Sequence, residues 1–125
     1  LSLMHYSRIG LVFIFHHVLC GRLMVGLAPM TFLTNPAGWM QALSRYHIVF
    51  TAAPDFGYLL VTKKTKQELL HDLDLSHLRV CLSGGETVRA STWAQFLEKF
   101  GKAGLRTTAL STGYGMAETV RTLSL

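Results

Sequence analysis

With 125 residues, 50% of them hydrophobic and 15% charged, the chain carries enough apolar material for one buried core, which excludes a disordered tail. Its net charge of +5 draws partly on Lys63, Lys64 and Lys66 at a helix end, while Trp39, Trp93, Phe96 and Phe100 fall at helical core spacings rather than among basic residues, a pattern that excludes a nucleic-acid surface. A mean hydropathy of +0.31 is high for so small a domain, whose surface normally needs more polar cover, so residues 1–125 are expected to be one partial domain cut at both ends.

The apolar run from Ile9 to Cys20 is interrupted by His16 and His17 and is too short for a membrane span, which needs roughly 20 apolar positions. It is expected as a buried strand-to-helix segment. The adjacent histidines would point about 100° apart on a helix and cannot share a metal from one face. Cys20 and Cys81 have no metal-like spacing and are expected as two buried thiols of a reducing compartment such as the cytoplasm.

Leu23 to Leu27 reads as a strand closed by Ala28-Pro29. Asn35 caps a helix with Pro36 at its first position, and Trp39, Leu43 and Tyr46 or His47 form its buried stripe. Ile48 to Thr51 is a short strand, and Pro54 opens a helix through Phe56, Leu59 and Leu60 that fades into the lysines. Asp72 and Asp74 shape a turn flanked by exposed His71 and His77. Leu78 to Leu82 is a strand that runs into Ser83-Gly84-Gly85. A helix from about Ser91 places Trp93, Phe96, Leu97 and Phe100 at i, i+3, i+4 and i+7 and stops at Gly101. Thr107 to Leu110 is a further strand, leading into Ser111-Thr112-Gly113-Tyr114. This alternation predicts an α/β fold: a partial, mainly parallel sheet with helices on both faces.

Ligands of such sheets collect at the carboxyl ends of the strands, and both glycine turns follow strands. Backbone without side chains at Gly84 and Gly85 can approach a base or a phosphate, Tyr114 offers a flat ring, and Glu118 a carboxylate suited to a hard cation. The pattern points to one half of a nucleotide site.

Several stretches together resemble the adenylate-forming superfamily, and most closely its fatty acyl-AMP ligase branch. Tyr114-Gly115-Met116-Ala117-Glu118 is similar to that branch's Tyr-Gly-(Leu/Met)-Ala-Glu motif, with Ala117 where most of the superfamily has threonine. Asp74-Leu75-Ser76-His77-Leu78-Arg79 and Ser83-Gly84-Gly85-Glu86-Thr87-Val88-Arg89 resemble its Asp-Leu-Ser-x-(Leu/Trp)-Arg and Asn-Gly-Ala-Glu-Pro-Val-Arg segments. Ser44-Arg45-Tyr46, Pro54-Asp55-Phe56-Gly57-Tyr58 and Pro29-Met30-Thr31-Phe32-Leu33 are similar to further stretches, in collinear order. A departure falls at His5-Tyr6-Ser7-Arg8-Ile9-Gly10-Leu11, where the branch has His-Asp-Met-Gly-Leu and His5 is displaced by two residues.

The resemblance implies an ATP-dependent enzyme that activates a fatty or other carboxylic acid as acyl-AMP, then passes the acyl group to a carrier protein or CoA. It implies that Gly84, Gly85, Glu86, Tyr114, Gly115 and Met116 hold the adenine, that Glu118 binds Mg2+, and that Pro54, Asp55, Phe56, Gly57 and Tyr58 line the acyl tunnel. The phosphate loop with its lysine, the ribose-binding aspartate and the C-terminal catalytic lysine have no counterpart in this sequence, so the chain alone is expected to be inactive. The alternatives are a non-catalytic binding module of a larger multidomain protein and a fragment of an acyl-CoA synthetase.

Overall fold

A computed structural model of the protein describes residues 14–15, 17–21 and 24–115. Pro29 opens the helix α1 (Pro29–Thr34), at a position where its missing N–H costs nothing. Asn35 then separates α1 from α2 (Ala37–Arg45). Its Oδ1 accepts from the Gly38 N–H at 3.3 Å, so it does cap, while Pro36 sits at the helix boundary with φ −59. Trp39, Met40 and Leu43 form the buried stripe of α2.

The expected stripe runs too far at its end, because Tyr46 and His47 are exposed. Ile48 N–H reaches back to Leu43 O at 3.1 Å and His47 N–H to Ser44 O at 3.2 Å, the bond pair of a Schellman terminus. His47 takes the left-handed conformation this requires, with φ 47. The same bond pair recurs after the third long helix, where Leu105 bonds to Phe100 and Gly104 to Gly101, but there the left-handed position holds glycine, φ 90.

Three parallel strands follow, in the order β1-β2-β3: β1 (Phe50–Ala53), β2 (Val80–Gly84) and β3 (Leu110–Gly113). Each begins later than its apolar run suggests. Ile48 belongs to the turn closing α2, Leu78 bonds back to Leu75, and Thr107–Ala109 is a 3-10 turn. Local helical turns capture the first residues of each run before the ladder starts. The connecting helices are α3 (Asp55–Lys64) and α4 (Ala90–Phe100), which pack on each other. Thr51 lies beside Cys81, and Ala53 beside Ser83; all four are buried.

Rings run through this layer in a chain. Phe32 meets Trp39 at 5.7 Å between centroids, Trp39 meets Tyr58 at 5.2 Å, Tyr58 meets Phe96 at 5.1 Å and Phe96 meets Phe100 at 4.9 Å. Their polar atoms are satisfied, as burial demands: Trp39 Nε1 donates to Thr51 Oγ1 at 3.2 Å, and Tyr58 Oη to the Leu82 carbonyl at 2.9 Å. At the far end of α3, Lys99 Nζ donates to the carbonyls of Thr62 and Thr65, a cation placed on a helix C-terminus. Lys63, Lys64 and Lys66 are exposed, as expected.

In the turn before β2, Asp74 Oδ1 accepts from the Ser76 N–H at 2.9 Å. The hydrogen bonds from Ser76 hold the Asp74 carboxyl below the usual carboxylate range. His71 and His77 are exposed there.

Two apolar expectations fail. Among the described residues 24–28 only Gly26 makes a bridge, and no strand forms; Gly26 breaks the run, and Val25 and Leu27 instead lean on the core as partly buried side chains. The described part of Ile9 to Cys20 is helical at residues 14–15 and 17–19, but Phe15, Val18 and Leu19 are exposed. Cys20 is exposed as well, so only Cys81 is the buried thiol expected. His5, Ser7 and Arg8 lie outside the described residues, and no described helix is long and apolar enough to cross a membrane.

Candidate nucleotide site at the strand ends

Because the strands are parallel and in register, the ends of β2 and β3 meet as one rung, Gly84 beside Gly113. That rung must be bare. A Cβ on Gly84 would stand 2.6 Å from the Gly113 carbonyl oxygen, well inside contact distance, so any side chain would push the strands apart. Gly85 then turns away with φ 82, a conformation glycine reaches without cost. Beside this shelf, Tyr114 follows β3 and is 60% exposed, and Gly115 is exposed after it. Met116 and Glu118 lie outside the described residues. The edge therefore offers backbone polar groups next to a free aromatic face, an arrangement suited to a planar heterocycle.

The segments expected to line the acyl side start at the same edge. Pro54 is half-buried, Asp55, Gly57 and Tyr58 are buried, and Phe56 is exposed. Tyr58 is locked by its bond to Leu82, and burial, with the nearby Cys81 thiol second, pushes its phenol well above the usual range. Phe56 is the side chain of this stretch that remains open to solvent.

Asp55 and Glu86 do something the sequence did not disclose. The Asp55 carboxylate, 1% exposed, reaches from the first turn of α3 to the start of α4. Its Oδ1 accepts from the Arg89 backbone N–H at 3.0 Å, and its Oδ2 accepts from Thr92 Oγ1 at 3.0 Å and from the Arg89 guanidinium at 3.0 Å. In return, Glu86, from the glycine turn before α4, accepts the Phe56 N–H of α3 on its Oε1 at 2.7 Å. Each helix start thus receives a carboxylate from the other's neighbourhood, where orphan N–H groups and the helix dipole favour negative charge. Sequence reasoning missed Thr92 and left Arg89, a candidate for pairing or capping, without a named partner. An acidic residue directly after the helix-opening Pro54 was the available signal, but nothing local points from it to Arg89.

Ser83 Oγ, beneath the turn, is buried with no hydrogen-bond partner among the described residues.

The AMP-binding enzyme family matches residues 2–124 of the chain. The chain belongs to that family. Among curated relatives, it is 38% identical over 92 residues to the 4-hydroxyphenylalkanoate adenylyltransferase of Mycobacterium tuberculosis, covering 74% of this chain and 15% of the relative. It is 36% identical over 116 residues to the probable long-chain-fatty-acid–AMP ligase FadD30 of the same organism, covering 92% of this chain and 20% of the relative. Among solved structures, the fatty acid AMP ligase from Legionella pneumophila superposes with a TM-score of 0.92 at 28% identity, over 97% of this chain and 22% of that one. A fatty acyl-adenylate ligase of the same organism, in complex with acyl adenylate and pyrophosphate, gives 0.76 at 32% identity over 78% of this chain and 17% of that one. The chain spans about a fifth or less of the length of these proteins. The parallel α/β layer described above is thus part of the N-terminal domain architecture of adenylate-forming enzymes.

Proposed function

We propose that residues 1–125 form one wall of the acyl-adenylate pocket of a fatty acyl-AMP ligase-like enzyme, within a larger AMP-binding domain. The observation that carries this reading is the bare Gly84–Gly113 rung with the exposed Tyr114 ring directly after it. Adenine lies against Gly84, Gly85 and the backbone of Glu86 on one side and Tyr114, Gly115 and Met116 on the other. The residues fit it: the glycine rung sets the two strand ends edge to edge with no side chain between them, and one Glu86 oxygen is already committed to Phe56, which fixes the turn. Glu118 supplies a carboxylate for Mg2+, a cation that takes one or two carboxylates with phosphate oxygens and water; it neutralises phosphate charge when bound.

The substrates are ATP and a fatty or other carboxylic acid, with the acid entering past Pro54 to Tyr58 and Phe56 exposed toward it. The carboxylate attacks the α-phosphorus, the bond to the β-phosphate oxygen breaks, and pyrophosphate leaves, giving acyl-AMP. A carboxylate is already a nucleophile, so catalysis is positioning plus charge neutralisation. The acyl group passes on to a carrier protein or CoA.

The isolated chain is expected to show no carboxylate-dependent pyrophosphate exchange. The decisive test transplants residues 1–125 into the corresponding segment of the Legionella pneumophila fatty acid AMP ligase. Fatty-acid-dependent exchange is retained in the folded chimaera and lost with Tyr114→Ala or Glu118→Ala. A folded chimaera that binds ATP but forms no acyl-adenylate, or one indifferent to both substitutions, overturns the reading.

A further inference from the structure

At the opposite edge of the sheet, where the strands begin, His47, Asp74 and His77 bring one ligand atom each to within 4.8 Å of one another. We propose that these residues form a binding site for a zinc-type divalent cation, tying the turn after α2 to the turn before β2. The site is separate from the strand-end edge, and the proposal is independent of the nucleotide reading.

Asp74 and His47 are each held in place by something outside the trio, and His77 meets both. Asp74 is anchored twice: its N–H donates to Ser44 Oγ at 2.9 Å, and its Oδ1 accepts from Ser76. Its Oδ2 is left facing His77 Nε2 at 3.6 Å. Donors about 2.0–2.1 Å from a tetrahedral zinc stand about 3.3 Å apart, so this pair is already near its bound separation. The His47 and His77 rings approach to 4.2 Å between centroids, although they arise from different turns.

His47 carries the strongest indication. It occupies the left-handed position of a Schellman terminus, where glycine is favoured, and the chain does use Gly104 at its other such terminus. A β-carbon is tolerated at 47 against the backbone's preference, and what it supplies is an imidazole against His77 and Asp74. Two imidazoles with one carboxylate suit Zn2+, Co2+, Ni2+ or Cu2+, whereas Mg2+ and Ca2+ require oxygen ligands. The trio is exposed, leaving the remaining coordination position to water.

The test is a titration of the reduced, thiol-alkylated chain with Zn2+, followed by the imidazole resonances of 13C-histidine-labelled protein. One equivalent shifts His47 and His77 together before the other histidines, and equal concentrations of Mg2+ or Ca2+ leave both unmoved. His47→Gly, which relaxes the backbone and retains the fold, weakens binding at least tenfold, as do His77→Gln and Asp74→Asn. The proposal is overturned if other histidines shift first, if Mg2+ or Ca2+ produces the same shifts, or if the folded His47→Gly protein binds as the wild type does.

Discussion

Replacing Asp55 by alanine removes a carboxylate that is 1% exposed and serves three donors at once. The contributions differ. Loss of the bond to the Arg89 N–H is loss of a helix cap, about 1 kcal/mol. Thr92 is 2% exposed, and leaving its hydroxyl unpaired costs about 1–2 kcal/mol. The Arg89 guanidinium is 61% exposed and returns to water, so its share is at most about 1 kcal/mol. Together Asp55→Ala destabilises by about 3 kcal/mol, a large part of the roughly 5–15 kcal/mol of a typical domain. Arg89→Ala, which keeps the backbone N–H and Thr92 bonds, costs about 1 kcal/mol or less. Urea titration followed by tryptophan fluorescence measures both, with Trp39 and Trp93 beside the Tyr58 ring as reporters. An Asp55→Ala loss below about 1 kcal/mol, or an Arg89→Ala loss equal to it, would refute the assignment of Asp55 as a cap rather than a surface ion pair.

Two further outcomes follow from the strands. Gly84→Ala forces a Cβ against the Gly113 carbonyl and lowers stability by about 1–3 kcal/mol, seen as a fall in Tm; an unchanged Tm would mean that the rung is looser than described. Burial pushes the Cys81 thiol up to about 12, so the folded state keeps a proton that the unfolded chain releases above about pH 8.5. Stability contributed by this group is complete below that pH and declines as pH rises toward 12, with the raised Tyr58 phenol acting in the same direction. Urea midpoints at pH 8 and 10 check the sign, and a higher midpoint at pH 10 contradicts it.

The α/β order and the placement of both glycine turns at one edge were legible because they depend on alternation and on where glycine interrupts a strand. Strand starts were not, since Ile48, Leu78 and Thr107 have strand-like neighbours but are claimed by turns whose hydrogen bonds the apolar pattern does not encode. His47 continued the helical period of Trp39 and Leu43 and so read as stripe, although the helix had already ended. The same limit hid the site's framework. Asp55 finds Arg89 and Thr92, and Phe56 finds Glu86, across separations of 30 or more residues, which only the folded sheet brings together. The resemblance named the family from motifs; the partnerships inside those motifs came from geometry.

The crossed carboxylates of Asp55 and Glu86 also bear on redesign. On the proposed reading a change of acyl preference would be sought by swapping residues 54–58 alone, yet that segment opens α3 and is fastened to the turn at 84–89. The two stretches behave as a single transplantable cassette, to be exchanged together, since altering either by itself leaves its counterpart's helix start without an anchor.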